Sequence, residues 1–237
     1  MPKHGKKYRA AADQVDALKQ YTPDDGVKLL KDIAFTKFDS SVELHIRTGL
    51  DPKHADQQVR GSAVLPAGTG RTQRVVAFAQ GDKAREAEAA GADVVGGEEL
   101  VTRIQGGWTD FDVAVATPEM MGMVGRLGRV LGPRGLMPNP RSGTVTPDIG
   151  RAIREIKGGR VEFRVDRTGV IHAPVGKISF DEEKILQNIA ALVDAVVRAK
   201  PTGAKGTYLK TFNIASTMGP SIELDNALTL ALAGSEA

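Results

Sequence analysis

The chain has 237 residues, of which 41% are hydrophobic and 26% are charged, as is usual for a globular protein with a sizeable core. It contains no cysteine, which excludes a disulfide framework, a thiolate zinc site and a cysteine nucleophile, and favours a reducing, cytoplasmic location. The formal net charge is only +3, so a case for a nucleic-acid partner must rest on where the charges lie.

The N-terminal part of the chain mixes helix and strand patterns. Residues 8–20 are rich in alanine with recurring apolar positions, which predicts a helix, and a second helix is predicted to begin at Pro23. Apolar and polar residues then alternate over 42–47, which predicts a half-buried strand. A further strand is predicted over 58–65.

The middle of the chain has a different pattern, in which strands alternate with helices. Residues 75–79 are an unbroken apolar run, typical of a strand buried on both faces, and shorter strands are predicted at 93–95 and 113–116. Helices are predicted between them, over 82–90 and 98–104. This alternation predicts a small parallel sheet of Rossmann-like character.

The C-terminal part returns to the mixed pattern of the beginning. Residues 160–173 predict a hairpin, because two strand patterns flank a turn sequence. Ser179 and Glu182 have the spacing of a capping box ahead of a long amphipathic helix. Two more strands are predicted over 207–216 and 221–224.

Like patterns at the two ends and an unlike pattern between them predict an insertion. The predicted fold class is an α+β discontinuous domain with an inserted α/β Rossmann-like three-layer domain. We expect residues 1–67 plus 160–237 to form the first domain and residues 68–159 the second. The predicted hinge residues are Gly68, Gly70, Gly158 and Gly159. Glycine offers little resistance to backbone rotation, but a single rigid domain with two ordinary glycine loops is the alternative.

The positive charges are unevenly distributed. Three windows, residues 1–12, 120–147 and 195–222, contain lysine or arginine and no acidic residue. Solvated basic stretches are common in proteins, so one such window carries little weight. Three in one chain, two of them rich in glycine and proline, favour an anionic polymer as the partner.

A search for catalytic sequence patterns is mostly negative. The chain lacks the phosphate loop, the nucleophile elbow and the His-Glu-x-x-His zinc pattern, and only Gly81 follows the first strand of the middle segment, where a dinucleotide fingerprint needs three glycines. We therefore expect no enzyme, cofactor or metal. A nucleotide-using enzyme and a DNA-binding repressor are the alternatives. The apolar runs are too short to span a bilayer, so no membrane partner is expected.

Three clusters could contact RNA. Lys37 and Phe38 follow a helix, where a lysine offers a charge for phosphate and a phenylalanine either stacks on a base or fills the core. Small and hydroxyl residues at 203–207 and 216–221 allow close backbone approach to phosphate and 2′-OH groups. The loop over 132–143 is rich in proline and glycine, and is either a phosphate-contacting or interdomain loop or a rigid surface loop.

Several of these segments, in this order and spacing, resemble the L1 family of large-subunit ribosomal proteins in its bacterial form. The resembling segments are residues 36–39, 56–61, 132–140, 172–177, 203–207 and 216–221. The resemblance implies the insertion architecture, with ribosomal RNA bound mainly by the discontinuous domain. It carries RNA contacts onto Lys37, Phe38 and Thr211, and onto residues 217–219.

The predicted RNA-binding residues are Thr36, Lys37, Phe38, Arg164, Lys205, Thr211, Thr217, Met218, Gly219 and Pro220. The resemblance further implies a structural role in the large subunit at the mobile L1 stalk, as a monomer within the cytoplasmic ribosome. It implies two additional RNA partners, which are exit-site tRNA, whose release the protein would assist, and the mRNA of its own operon, whose translation it would repress.

Overall fold

A computed structural model of the chain describes residues 5–204 and 206–234, apart from the side chains of Ala55 and Arg141. The helices are α1 (Lys6–Ala12), α2 (Pro23–Asp32), α3 (Asp82–Ala89), α4 (Glu98–Gln105), α5 (Met121–Val124), α6 (Gly128–Leu131), α7 (Ile149–Lys157), α8 (Glu182–Arg198) and α9 (Asn226–Gly234). The strands are β1 (Ser41–Thr48), β2 (Arg60–Val64), β3 (Val75–Phe78), β4 (Val94–Gly96), β5 (Val113–Ala116), β6 (Arg160–Arg164), β7 (Val170–Lys177), β8 (Leu209–Ser216) and β9 (Ser221–Leu224). No helix within the described residues is both long enough and apolar enough to cross a bilayer.

The chain divides into two compact units. The first unit joins the chain up to Gly70 with the chain from Val161 onward, and the second unit is Arg71–Arg160. The prediction of a mixed α/β protein with several sheets is confirmed. That the units are independent domains connected by a glycine hinge stays a prediction.

The first unit contains a four-stranded antiparallel sheet with strand order β7-β1-β8-β9 and a separate two-stranded pair, β2-β6. The central strand β1 pairs with β7 and β8, and these partners come from the far end of the sequence. In register, His45 lies opposite His172 on one side and Asn213 on the other. The alternation predicted over 42–47 is confirmed, since Val42, Leu44 and Ile46 are fully buried.

One face of this sheet packs on helices. The core of the first unit joins the buried residues of β1, β7, β8 and β9 to those of α2 and α8. Helix α2 begins as predicted at Pro23, where Thr22 Oγ1 accepts a hydrogen bond from the Asp25 N–H. The sheet therefore has a helix-covered inner face and an opposite outer face.

The second unit is built on the parallel sheet β4-β3-β5, which confirms the predicted parallel arrangement. Successive residues of β3 point to opposite sides, because side chains alternate along a strand. Val76 and Phe78 pack with α4, α5 and α6, whereas Val75 and Ala77 pack with α3 and α7. Helices therefore cover both faces of the sheet.

Two local predictions are wrong. The helix predicted over 8–20 ends at Ala12, and Leu18, expected on its apolar face, is 97% exposed in a turn where its N–H donates to the Asp16 carboxylate. The predicted capping box is absent, because Ser179 Oγ and N–H donate to the Asp39 carboxylate instead. Asp181 is the residue that precedes α8. In this case, a charged acceptor from a distant segment outcompetes the local pattern.

Candidate nucleic-acid interface

The outer face of the four-stranded sheet is polar and at least partly exposed. Its side chains are Ser41, Glu43, His45 and Arg47 on β1, Val170, His172 and Pro174 on β7, Thr211, Asn213 and Ala215 on β8, and Ser221 and Glu223 on β9. Most of these side chains carry hydrogen-bonding groups, which can bond to the phosphate, sugar and base groups of a nucleic acid.

At one end of this face, the loop before β1 meets the turn after β8. The Thr217 N–H donates to the Ser41 carbonyl over 3.0 Å, and the Ser41 N–H donates to Thr217 Oγ1 over 3.1 Å. Phe38 is three residues from Ser41, so their Cα atoms lie within roughly 11 Å of each other. The structure thus brings Phe38 and residues 217–219 to one end of the sheet, although they are far apart in sequence.

The Phe38 ring is presented to solvent by a loop that is tied down on both sides. Phe38 is 57% exposed, so the alternative prediction that it fills the core is wrong. Thr36 Oγ1 donates to the Phe38 carbonyl over 3.0 Å, and Asp39 accepts the two hydrogen bonds from Ser179. Such a fixed, exposed aromatic ring is suited to stacking on a nucleotide base.

The turn at 216–219 presents a methionine in an unusual conformation. The Gly219 N–H closes the turn by donating to the Ser216 carbonyl over 2.8 Å. Met218 has φ 70° and is 69% exposed. A left-handed conformation costs an L-residue about 1–2 kcal/mol, and most of the surface of this apolar residue is open to solvent. Both features indicate a partner-contacting residue.

The turn also limits which residues can replace its own. A Cβ atom at Gly219 would lie 2.3 Å from Ser216 Oγ, so any other residue there would force the Ser216 hydroxyl to move. Pro220, which follows the turn, is buried. The predicted RNA contact of Pro220 stays a prediction, and burial leaves its side chain little surface to offer.

The other predicted residues do not all lie on the outer face. Lys37 is exposed and has no ion pair among the described residues. Thr211 lies opposite Arg47, at the far end of β8 from Met218, which puts it roughly 20 Å away at about 3.4 Å per residue. Its hydroxyl makes no hydrogen bond within the described part of the chain. Lys205 lies outside the described residues.

Near the Thr211 end, a cleft of about 330 Å³ carries three exposed arginines. Arg60, Arg164 and Arg167 line it together with Asp166 and Gln58. The sequence predicted Arg164, but it did not single out Arg60 or Arg167. Arg60 could not be predicted from the sequence as a site residue, because only the pairing of β2 with β6 brings it to the same cleft as Arg164.

A histidine pair at the centre of the outer face was also missed. His45 Nδ1 and His172 Nδ1 lie 2.8 Å apart, so one nitrogen donates and the other accepts. Burial lowers the pKa of His45, His172 lowers it further, and Glu43, whose carboxylate is 4.0 Å from His45, opposes the shift. Asp166 lies 3.5 Å from His172, and hydrogen bonds from Val170 and Thr168 lower its pKa to about 2.

The lowered pKa of His45 predicts a pH-dependent stability. In the unfolded chain His45 binds a proton near the ordinary pKa of about 6.5, whereas in the folded chain it binds one only at lower pH. The contribution of His45 to the free energy of unfolding is therefore fully present above that pH and is lost as the pH falls below it. We expect His45→Gln to flatten the dependence of the unfolding free energy on pH between pH 8 and 5.5 in urea titrations. His54→Gln, at an exposed histidine, is the control. Equal pH slopes for wild type and His45→Gln would contradict the assignment.

A comparison with known protein families gives a match over most of the chain. The family model described as "Ribosomal protein L1p/L10e family" matches residues 30–220, which is more than half of the chain. The match includes the loop with Phe38, three of the four strands of the outer face (β1, β7 and β8), and the turn with Met218. Among the described residues, no group of three or more histidine, cysteine or acidic side chains could hold a metal ion.

Proposed function

The chain belongs to the ribosomal protein L1p/L10e family, and on that premise we propose that it binds large-subunit ribosomal RNA with the outer sheet face of its first unit. Membership of this family implies a structural role in the ribosome and binding of ribosomal RNA. The family is one of structural RNA-binding proteins and not of enzymes. The location of the RNA on this face is supported chiefly by one observation. The exposed Phe38 and the strained, exposed Met218 meet at the same end of the sheet.

Each part of the face has its own role in the proposal. Lys37 and Arg47 neutralise phosphates, and their contacts position the RNA without reading its sequence. Phe38 stacks on an unpaired base. The hydroxyl of Thr211 and the amide of Asn213 bond 2′-OH groups, which a protein uses to distinguish RNA from DNA. Shape recognition of folded RNA by a sheet is thus favoured over readout of duplex DNA by a helix.

The role of Lys37 is tested by salt dependence. Each neutralised phosphate adds roughly 0.7–0.9 to the slope of log affinity against log salt concentration. We expect Lys37→Gln to weaken binding to a large-subunit rRNA stalk fragment and to reduce that slope by about this amount. Lys28→Gln is the matched control, because Lys28 is exposed on α2, which packs on the inner face. Equal slopes for both variants would remove Lys37 from the interface.

Three finer roles rest on the family resemblance and are part of the proposal. The chain would act at the mobile L1 stalk of the cytoplasmic ribosome, assist release of exit-site tRNA, and repress translation by binding the mRNA of its own operon. Gly68, Gly70, Gly158 and Gly159 would form the hinge. Repression through the same face requires that the operon mRNA and the stalk rRNA compete for one site, so simultaneous binding of both to one chain would contradict it.

A further inference from the structure

The second unit carries a row of arginines on its α4–α6 side. Between Pro118 and Leu131 the chain runs through consecutive short helical segments, including α5 and α6. Val124, Leu127 and Leu131 are buried against the sheet. With about 100° of rotation per residue, Arg126 and Arg129 fall on the opposite, outward side, and both are exposed.

These arginines have no counter-charge. Arg126 and Arg129 make no ion pair or hydrogen bond within the described part of the chain, and the sequence has no acidic residue from Met120 to Pro147. Three helical arginines elsewhere differ. Arg85, Arg151 and Arg198 each lie within ion-pair distance of a carboxylate about one helical turn away. The row is therefore an uncompensated positive surface.

Two further arginines lie beside the same core. The Arg103 guanidinium sits 4.1 Å from the centre of the Trp108 ring, and Arg134 Nη1 donates to the hydroxyl of the adjacent Thr109. Trp108 packs against the core that also holds Val124. These two exposed arginines, on α4 and in the loop after α6, thus lie on the same side of the sheet as the helical run.

Three glycines leave the backbone of this surface uncovered by side chains beside the arginines. Gly122, Gly125 and Gly128 have helical backbone angles, and a Cβ atom added at any of them would meet nothing within 4 Å. The fold does not require glycine here, although glycine weakens a helix relative to alanine. A partner that approaches to the level of the backbone would account for glycine at all three positions.

We propose that this arginine surface is a second RNA-binding site, which grips the phosphodiester backbone of a structured RNA without reading its bases. Guanidinium groups suit phosphate oxygens in geometry and charge. The large apolar side chains that are exposed in the described part of the chain all lie outside residues 71–160, which argues against a lipid surface or an apolar protein partner. The proposal concerns a site distinct from the outer sheet face and stands without it.

The test uses the full chain with its first site filled by a saturating stalk rRNA fragment. The probe is a labelled RNA hairpin of unrelated sequence. We expect the complex to bind the hairpin, and Arg126→Gln/Arg129→Gln to weaken that binding about tenfold and to reduce the salt slope by roughly 1.4–1.8. The affinity for the stalk fragment should not change, so failure here is distinguishable from failure of the first site.

The matched control removes the same charge from the other side of the unit. Arg85 on α3 and Arg154 on α7 are exposed, and Arg85→Gln/Arg154→Gln should leave hairpin binding unchanged. If both double variants lost the same affinity for the hairpin, the loss would come from the lower net charge alone, and the proposal would be overturned. Absence of hairpin binding to the wild-type complex, or preference for a polyglutamate peptide over the hairpin, would also overturn it.

The glycines give an independent readout. Replacing Gly122, Gly125 and Gly128 together by alanine should raise the melting temperature, because alanine favours the helix and has open space. The same variant should bind the hairpin several-fold more weakly, because the methyl groups hold the RNA away. A lower melting temperature, or unchanged hairpin affinity, would overturn the proposed close approach.

Discussion

Asn188→Leu is expected to lower the free energy of unfolding by about 3 kcal/mol and the melting temperature by roughly 6–12 °C. Asn188 is fully buried on α8. Its Oδ1 accepts from the Ala67 N–H over 3.0 Å, and its Nδ2 donates to the carbonyls of Val175 and Gly68 over 2.7 and 2.9 Å. Leucine fills the space but leaves three backbone groups without this partner, one of them buried and two part-buried, and a buried group without a partner costs about 1–3 kcal/mol.

The measurement is urea unfolding followed by circular dichroism, with a neighbouring variant as the control. Gln187 is exposed on the same helix, so Gln187→Leu should change the free energy of unfolding by less than about 0.5 kcal/mol. Asn188→Asp keeps the acceptor for Ala67 but loses both donors, and should also destabilise. An Asn188→Leu protein as stable as the wild type would show that the bonds from Asn188 to Ala67, Gly68 and Val175 do not stabilise the fold.

Met218→Gly is expected to weaken binding to the stalk rRNA fragment by roughly 10-fold, while the protein becomes no less stable. Glycine adopts φ 70° without strain, so the substitution relieves about 1 kcal/mol in the free protein. The side chain is 69% exposed, so its loss should register mainly in the complex. Opposite effects on stability and affinity separate a contact residue from a structural one.

Phe38→Ala should act in the same way and at the same end of the sheet. Loss of one base–aromatic stack costs about 1–3 kcal/mol, or roughly 5- to 150-fold in affinity. Leu18→Ala is the control for both variants, because Leu18 is another highly exposed apolar side chain. Unchanged affinity in both Met218→Gly and Phe38→Ala, measured by fluorescence anisotropy at fixed salt, would remove this end of the sheet from the interface.

Local sequence patterns predicted the elements whose pattern of apolar residues matches their burial. The alternation over 42–47 predicted β1 correctly, because β1 has one face on the core and one in solvent. The apolar run over 75–79 predicted β3 correctly, because β3 is covered on both faces. The patterns failed where a distant group overrides them. Ser179 donates a hydrogen bond to Asp39 instead of capping α8. Leu18 is exposed to solvent instead of packing on a core.

The site residues divide in the same way. Lys37, Phe38 and residues 217–219 were predicted from the sequence, but their meeting through Ser41 and Thr217 is a pairing across the whole chain that no local pattern encodes. The contact between His45 and His172 and the approach of Arg60 to Arg164 depend on strand register, so they were not predicted. Asn188 reads as an ordinary polar residue on a helix until its buried backbone partners are known.

The central claim is that segments from the two ends of the chain form one RNA-binding face. It is tested most directly by photo-crosslinking the full chain to a stalk rRNA fragment that carries 4-thiouridine, and mapping the linked peptides by mass spectrometry. We expect crosslinks in both residues 35–41 and residues 211–220. Crosslinks confined to residues 71–160, or to helix α2 on the inner face, would contradict the account.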